Sequence, residues 1–137
     1  EWHAAGRPRI VSLCAELQAP AAAARLGGAH CVPLLDLLPP TPQDLRRAAA
    51  AVQRMWQLLP ERPAPLWVCC ALGYSRSAAT LAVWLVRYGH CATVDEALAL
   101  IRRARPRVVL RAPYVQAIAA STAQGAAPGT PQAHAAT

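Results

Sequence analysis

The chain of 137 residues contains no phenylalanine and no lysine, and only seven acidic side chains. Without phenylalanine, core bulk must come from Trp2, Trp56, Trp67, Trp84 and the leucines, because much of the 55% apolar content is alanine. Without lysine, the net charge of +7 rests on arginine alone. Joint enrichment of Ala, Arg and Pro accounts for most of these arginines as compositional bias. The sharper reading is a basic surface for an anionic partner. Aromatic and basic residues do not alternate, and there is no helix-turn-helix or zinc spacing, so nucleic acid is not an expected partner. No apolar run reaches bilayer length and there is no signal peptide. The expectation is a cytoplasmic domain, or one held at the membrane as part of a larger membrane protein.

The cysteines are odd in number: Cys14, Cys31, Cys69, Cys70 and Cys91. Several sit in apolar, strand-like or helix-end contexts, which points to a reduced interior rather than a disulfide framework. His3, His30, His90 and His134 are scattered, and His90 beside Cys91 lacks the spacing of a metal site. No metal is expected. The length fits one domain with one core.

The patterning along the chain is α/β. Ile10–Cys14 and His30–Leu35 read as strands, with a short helix at Ala19–Leu26 between them, ended by Gly27 and Gly28. Thr41 caps a helix running to about Leu59, with Pro42 at its first position and Leu45, Ala48, Val52, Trp56 and Leu59 on one face. Leu66–Cys69 is an apolar run between breakers and reads as a central strand. Ser77–Tyr88 is apolar nearly all round, hence a buried helix, and Gly89 ends it. Thr93 to Glu96 has the capping-box pattern and opens a helix to about Arg105, where Pro106 stops it. Ala112–Ala120 reads as a last helix. Strands alternating with helices predict a mostly parallel central sheet flanked by helices. The folded domain is expected to span residues 1–120, and the Ala/Pro/Gly-rich segment 121–137 to be a disordered tail.

The most specific chemistry lies in Val68–Thr80, VCCALGYSRSAAT. Cys70 and Arg76 close a short loop between an apolar strand and a helix start, where α/β sheets place their ligands. Arg76 and the helix N-terminus both favour a Cys70 thiolate. Backbone amides of Ala71, Leu72, Gly73, Tyr74 and Ser75 suit an anion-binding nest, and Gly73 can take a positive φ there. The Arg76 fork matches two phosphate oxygens. An arginine at a helix start opposes the dipole, and a bound anion would explain it. The leaving oxygen needs an acid from elsewhere. Asp36, at a strand exit, is preferred over Asp44, which sits where a helix's first turn wants an acid anyway.

This loop, C-A-L-G-Y-S-R-S, resembles the signature of cysteine-based phosphatases of the dual-specificity class: Cys, five residues, Arg, then Ser or Thr. The resemblance spans about Ile10 to Ile118 and includes T-V-D-E-A-L-A-L-I-R-R-A-R-P and V-P-L-L-D-L. The segment D-L-L-P-P-T-P-Q-D-L is similar to the matching loop of mitochondrial phosphatidylglycerophosphate phosphatase. It is similar also to bacterial proteins in which such a domain follows a membrane-embedded phosphatidic-acid-phosphatase-like domain. The resemblance implies a dual-specificity phosphatase-like fold. It also implies Cys70 as nucleophile, Arg76 as phosphate clamp, Ser77 as the hydroxyl that assists the thiolate, and Asp36 as acid and then base. The reaction would pass through a phosphocysteine and need no cofactor. Partners would be a phosphorylated protein or a phospholipid head group. Glu1 to Arg9 leave little room for the family's usual opening strand, which implies a domain cut from a longer, membrane-linked chain.

Two departures bear on activity. The family places a histidine before the nucleophile and this chain has Cys69, so a less depressed Cys70 pKa is expected. Cys69 reads as a strand cysteine facing away from the loop; the alternative is a redox guard for Cys70. The loop is also uncharged between Cys70 and Arg76, with Leu72 and Tyr74 where lipid-selective relatives often carry basic residues, which weakens a polyanionic inositol phosphate as substrate. Arg102, Arg103, Arg105, Arg107 and Arg111 read as a solvated helix end or, alternatively, a membrane-facing patch. The competing function is a catalytically silent phosphate-binding or scaffolding module.

Overall fold

The computed structural model describes residues 9–14, 29–36, 38–58, 66–72 and 74–123. They form β1 (Arg9–Cys14), β2 (Ala29–Leu34), α1 (Pro42–Gln57), β3 (Leu66–Cys69), α2 (Arg76–Arg87), α3 (Val94–Ala104) and α4 (Ala112–Thr122). The helix expected at residues 19–26 lies outside the described residues, as do Gly73 and the tail from Gln124.

The sheet is parallel, in the order β2-β1-β3. Val11 lies opposite Val68 on β3, and Ser12 lies opposite both Cys31 and Cys69. Among the described residues β1 is therefore the middle strand, and β3, expected to be central, pairs with β1 alone. Length and apolarity do not separate these two strands. Val11, Ser12, Leu13 and Cys14 are all buried, so β1 is covered on both faces as a strand of a parallel sheet should be.

α1 starts where local chemistry dictates. The Thr41 hydroxyl accepts from the Asp44 amide at 3.1 Å, and an Asp44 carboxylate oxygen accepts from the Thr41 amide at 3.3 Å. Such a cap stabilises by about 1 kcal/mol. The helix buries Leu45, Ala48, Ala49, Ala51, Val52 and Met55. Met55 takes the place expected of Trp56, which is 45% exposed and packs edge-on against Trp84 with ring centroids 5.4 Å apart. The stripe of alanines lets α1 lie closely against the sheet and against α2, whose Ala78, Ala79 and Ala82 are equally buried.

α2 begins at Arg76, one residue earlier than expected, and buries Arg76–Thr80, Ala82, Val83 and Trp84. Gly89, at φ 79°, turns the chain so that the amides of His90 and Cys91 both reach the Leu85 carbonyl, at 2.8 and 2.9 Å. Only glycine takes that conformation without a Cβ penalty. α3 is capped by Thr93, whose hydroxyl accepts from the Glu96 amide. Glu96 reaches back to the Ala92 amide at 2.9 Å, one residue beyond the cap. α4 extends two residues past the expected boundary, into the segment read as tail. Ser121 is fully buried, and its hydroxyl donates to the carbonyls of Ala117 (2.6 Å) and Pro42 (3.3 Å). The Arg87 guanidinium donates to the Ser121 carbonyl at 3.0 Å. These bonds fasten the end of α4 to α1 and α2 and explain why helix persists there. Among the described residues no helix is long and apolar enough to cross a membrane.

Candidate active site

β3 delivers the chain to Cys70 at the carboxyl end of the sheet, and α2 begins six residues later at Arg76. The Cys70 Sγ lies 3.2 Å from the Ser77 Oγ, within hydrogen-bonding distance for a thiol or thiolate. Arg76 is only 3% exposed. One guanidinium nitrogen donates to the Leu34 carbonyl at 3.1 Å, and the other lies 3.5 Å from an Asp36 carboxylate oxygen. The end of β2 thus holds the arginine fork beside the Cys70 loop. A charge buried this deeply is tolerated only with such partners, and the two contacts fix the guanidinium plane.

Asp36, Cys70 and Arg76 line one cleft of about 360 Å³, together with Leu72, Tyr74, Ser75, Val109, Arg111 and Tyr114. Asp44 does not line it. Asp44 is engaged in the cap of α1 and lies 3.9 Å from Arg47, so of the two candidate acids only Asp36 faces the cleft. Asp36 remains half-exposed, within reach of both Arg76 and solvent. Ala71 lies on the other side of the loop, lining a second cavity of about 260 Å³ shared with Cys70, Leu72, Leu81, Ile101 and Arg105.

Two features of the site escape a reading of the sequence. Ser75 precedes α2 but makes no capping bond to it; its hydroxyl donates instead to the Val109 carbonyl at 2.7 Å. The Val109 amide returns a bond to the Tyr74 carbonyl at 3.0 Å. The segment after α3 therefore braces the loop between Cys70 and Arg76. No acid stands in the first turn of α2 either, so the positive end of its dipole is left facing the loop. The second feature is Tyr114 of α4. Its hydroxyl donates to the Leu38 carbonyl at 3.4 Å, steadying the segment that carries Asp36. Burial pushes the Tyr114 phenol up; Arg76 opposes this, while Asp36 and Cys70 reinforce it. Tyr114 therefore stays a neutral donor. Pro113 in the first turn of α4 was the available signal that a helix starts here, but nothing local ties that start to Asp36.

Cys69 lies opposite Ser12 of β1, and the Ser12 side chain hydrogen-bonds it. Burial pushes the Cys69 thiol up, the neighbouring Cys70 adds to this, and Ser12 partly offsets it. Cys69 is thus a neutral thiol at neutral pH and brings no positive charge to Cys70. His90 is occupied elsewhere, packed 4.4 Å from the Trp84 ring. Among the described residues no group of three His, Cys, Asp or Glu side chains is placed to hold a metal ion.

No family model matches the chain, and no curated protein does. Solved structures do match in fold. Tk-PTP in its active form is 20% identical, with a TM-score of 0.68 over 85% of this chain and 78% of that one. Human DUSP28 is 22% identical, with a TM-score of 0.66 over 88% of this chain and 80% of that one. PTPMT1 in complex with PI(5)P is 17% identical, with a TM-score of 0.67 over 84% of this chain and 76% of that one. The fold is that of the dual-specificity and protein-tyrosine phosphatases.

Proposed function

We propose that this chain is a phosphatase that hydrolyses phosphate monoesters, of a phosphorylated protein or a phospholipid head group, through a phosphocysteine. The observation that carries the reading is the convergence of Cys70, whose sulfur touches the Ser77 hydroxyl, and the buried Arg76 fork on one cleft that also holds Asp36. The substrate phosphate would lie on the loop amides and the Arg76 fork, displacing Asp36 from the guanidinium toward the leaving oxygen. The Cys70 thiolate attacks phosphorus. As the bond from phosphorus to the ester oxygen breaks, Asp36 donates a proton to that oxygen. Asp36 then takes a proton from water, the water oxygen attacks phosphorus, and the thiolate leaves with the Ser77 hydroxyl donating to it.

The alternative, a catalytically silent phosphate-binding module, draws its support from Cys69 standing where a charge-bearing histidine would assist ionisation. Turnover of 4-nitrophenyl phosphate separates the two. Activity is expected in the unaltered chain and should be abolished by Cys70→Ser. Asp36→Ala should slow esters with poor leaving groups strongly, by about 10²–10⁴-fold, and esters with good ones much less. Phosphate binding without turnover would leave the silent module as the better reading.

A further inference from the structure

Large apolar side chains are exposed on the lining of the cleft and on the segment that carries Asp36. Leu35, Leu38, Leu72, Tyr74 and Val109 are exposed by 63, 56, 73, 39 and 50%. They come from three separate segments. Leu72, Tyr74 and Val109 line the cleft itself. Leu35 adjoins Asp36, and the Leu38 backbone is held by Tyr114. Three exposed apolar side chains on one opening, with two more either side of Asp36 in the chain, mark an interaction face rather than chance surface.

Two arginines line these cavities, and three more lie close to them in the chain. Arg111 lines the cleft, Arg105 lines the second cavity across Leu72, and Arg107 lies between them in the chain. Arg102 and Arg103 close α3. All five are exposed, and among the described residues none pairs with a carboxylate. No acidic residue follows Glu96 in the sequence, so nothing in that stretch offsets them. Among the described residues Asp36 is the one carboxylate lining the cleft.

Taken with the phosphatase reading, on which this rests, we infer that the rim is a docking face for an anionic bilayer and that the substrate is a phosphomonoester lipid presented at that surface. A groove lined by hydrogen-bonding groups would suit an extended phosphopeptide. Apolar side chains raised on several sides of an opening suit a plane of acyl chains and headgroups, with arginines reaching anionic headgroups at its edge. The bilayer would enclose the cleft, and the lipid phosphate would reach Cys70 without leaving the membrane.

The test uses the full chain with vesicles of phosphatidylcholine alone or mixed roughly three to one with phosphatidylglycerol. Co-sedimentation is expected with the mixed vesicles and little with phosphatidylcholine alone. Arg103→Glu combined with Arg107→Glu should lower partitioning by about 25-fold, two factors of about five, while 4-nitrophenyl phosphate turnover stays unchanged. Leu38→Asp should also weaken binding, and that loss should persist in high salt, where the arginine contribution is screened. Phosphatidic acid in mixed vesicles should be hydrolysed faster than the same lipid dispersed in neutral detergent. Absence of vesicle binding in a chain that turns over 4-nitrophenyl phosphate would overturn the inference and leave the phosphatase reading standing. So would hydrolysis of phosphotyrosine peptides that the arginine reversals impair in the absence of vesicles. Vesicle binding without any turnover would overturn the phosphatase reading and support the docking face alone.

Discussion

At Cys69 a single side chain adjoins the thiol whose ionisation the proposed reaction requires. A thiolate at Cys70 needs positive charge or hydrogen-bond donors within a few ångströms. Arg76, the start of α2 and the Ser77 hydroxyl are at hand. The residue immediately before it adds nothing positive, because burial and the adjacent Cys70 both keep the Cys69 thiol protonated. Replacing it by a group that can donate a hydrogen bond or carry charge should therefore favour the Cys70 thiolate. Cys69→His is expected to lower the pH midpoint of Cys70 alkylation by about one unit, equivalent to about 1.4 kcal/mol. Turnover of 4-nitrophenyl phosphate on the acid side of that midpoint should rise accordingly, up to about tenfold. An alkylation curve that does not move would mean that Arg76 and the helix already set the thiol pKa by themselves. Cys70, Arg76 and Ser77 could be read from the chain because their spacing is local. Tyr114 could not: its contact with Leu38 joins residues 76 positions apart.

Elements differ in how much of them is written locally. The start of α1 is legible because Thr41, Pro42 and Asp44 satisfy its first amides within four residues. The end of α2 is legible because Gly89 supplies the positive φ that the turn requires. The buried face of α1 is only half legible, since Trp56 and Met55 flank the same stripe, yet Met55 is buried while Trp56 stays 45% exposed with its edge against Trp84. The place of β3 in the sheet and the persistence of α4 through Ser121 depend on distant partners. α2 also carries a cost. Thr80 is fully buried, and among the described residues its hydroxyl has no hydrogen-bond partner. Burying such a group unpaired costs about 1–3 kcal/mol, whereas a methyl of the same shape costs nothing comparable. Thr80→Val is therefore expected to stabilise the fold by about 1 kcal/mol and to raise Tm by about 3–4 °C. A melt showing a lower Tm would mean that the hydroxyl is satisfied in solution.

On the scale of the whole molecule, the charge balance and the buried weak acids make stability depend on alkaline pH in opposite ways. The chain carries +7 at neutral pH from arginines that do not titrate, and its isoelectric point is near 9.9. Raising the pH toward that value relieves self-repulsion and favours the folded state. Against this, Cys69, Cys91 and Tyr114 all hold their protons more tightly than usual, in each case chiefly through burial. Above the ordinary thiol value of 9.0 the unfolded chain loses these protons first. The folded chain then binds more protons than the unfolded one, so these groups make stability fall as pH rises, while below that range they contribute no slope. Tm measured between about pH 8 and 11 under reducing conditions should therefore decline on the alkaline side despite the approach to neutrality. The variant Cys69→Ala separates the two effects, since it leaves the arginines untouched and removes one tightly held proton. Its Tm should decline less steeply with pH than that of the unaltered chain. Parallel declines would show that Cys69 ionises equally well folded and unfolded, and would remove the ground for treating it as a neutral neighbour of Cys70.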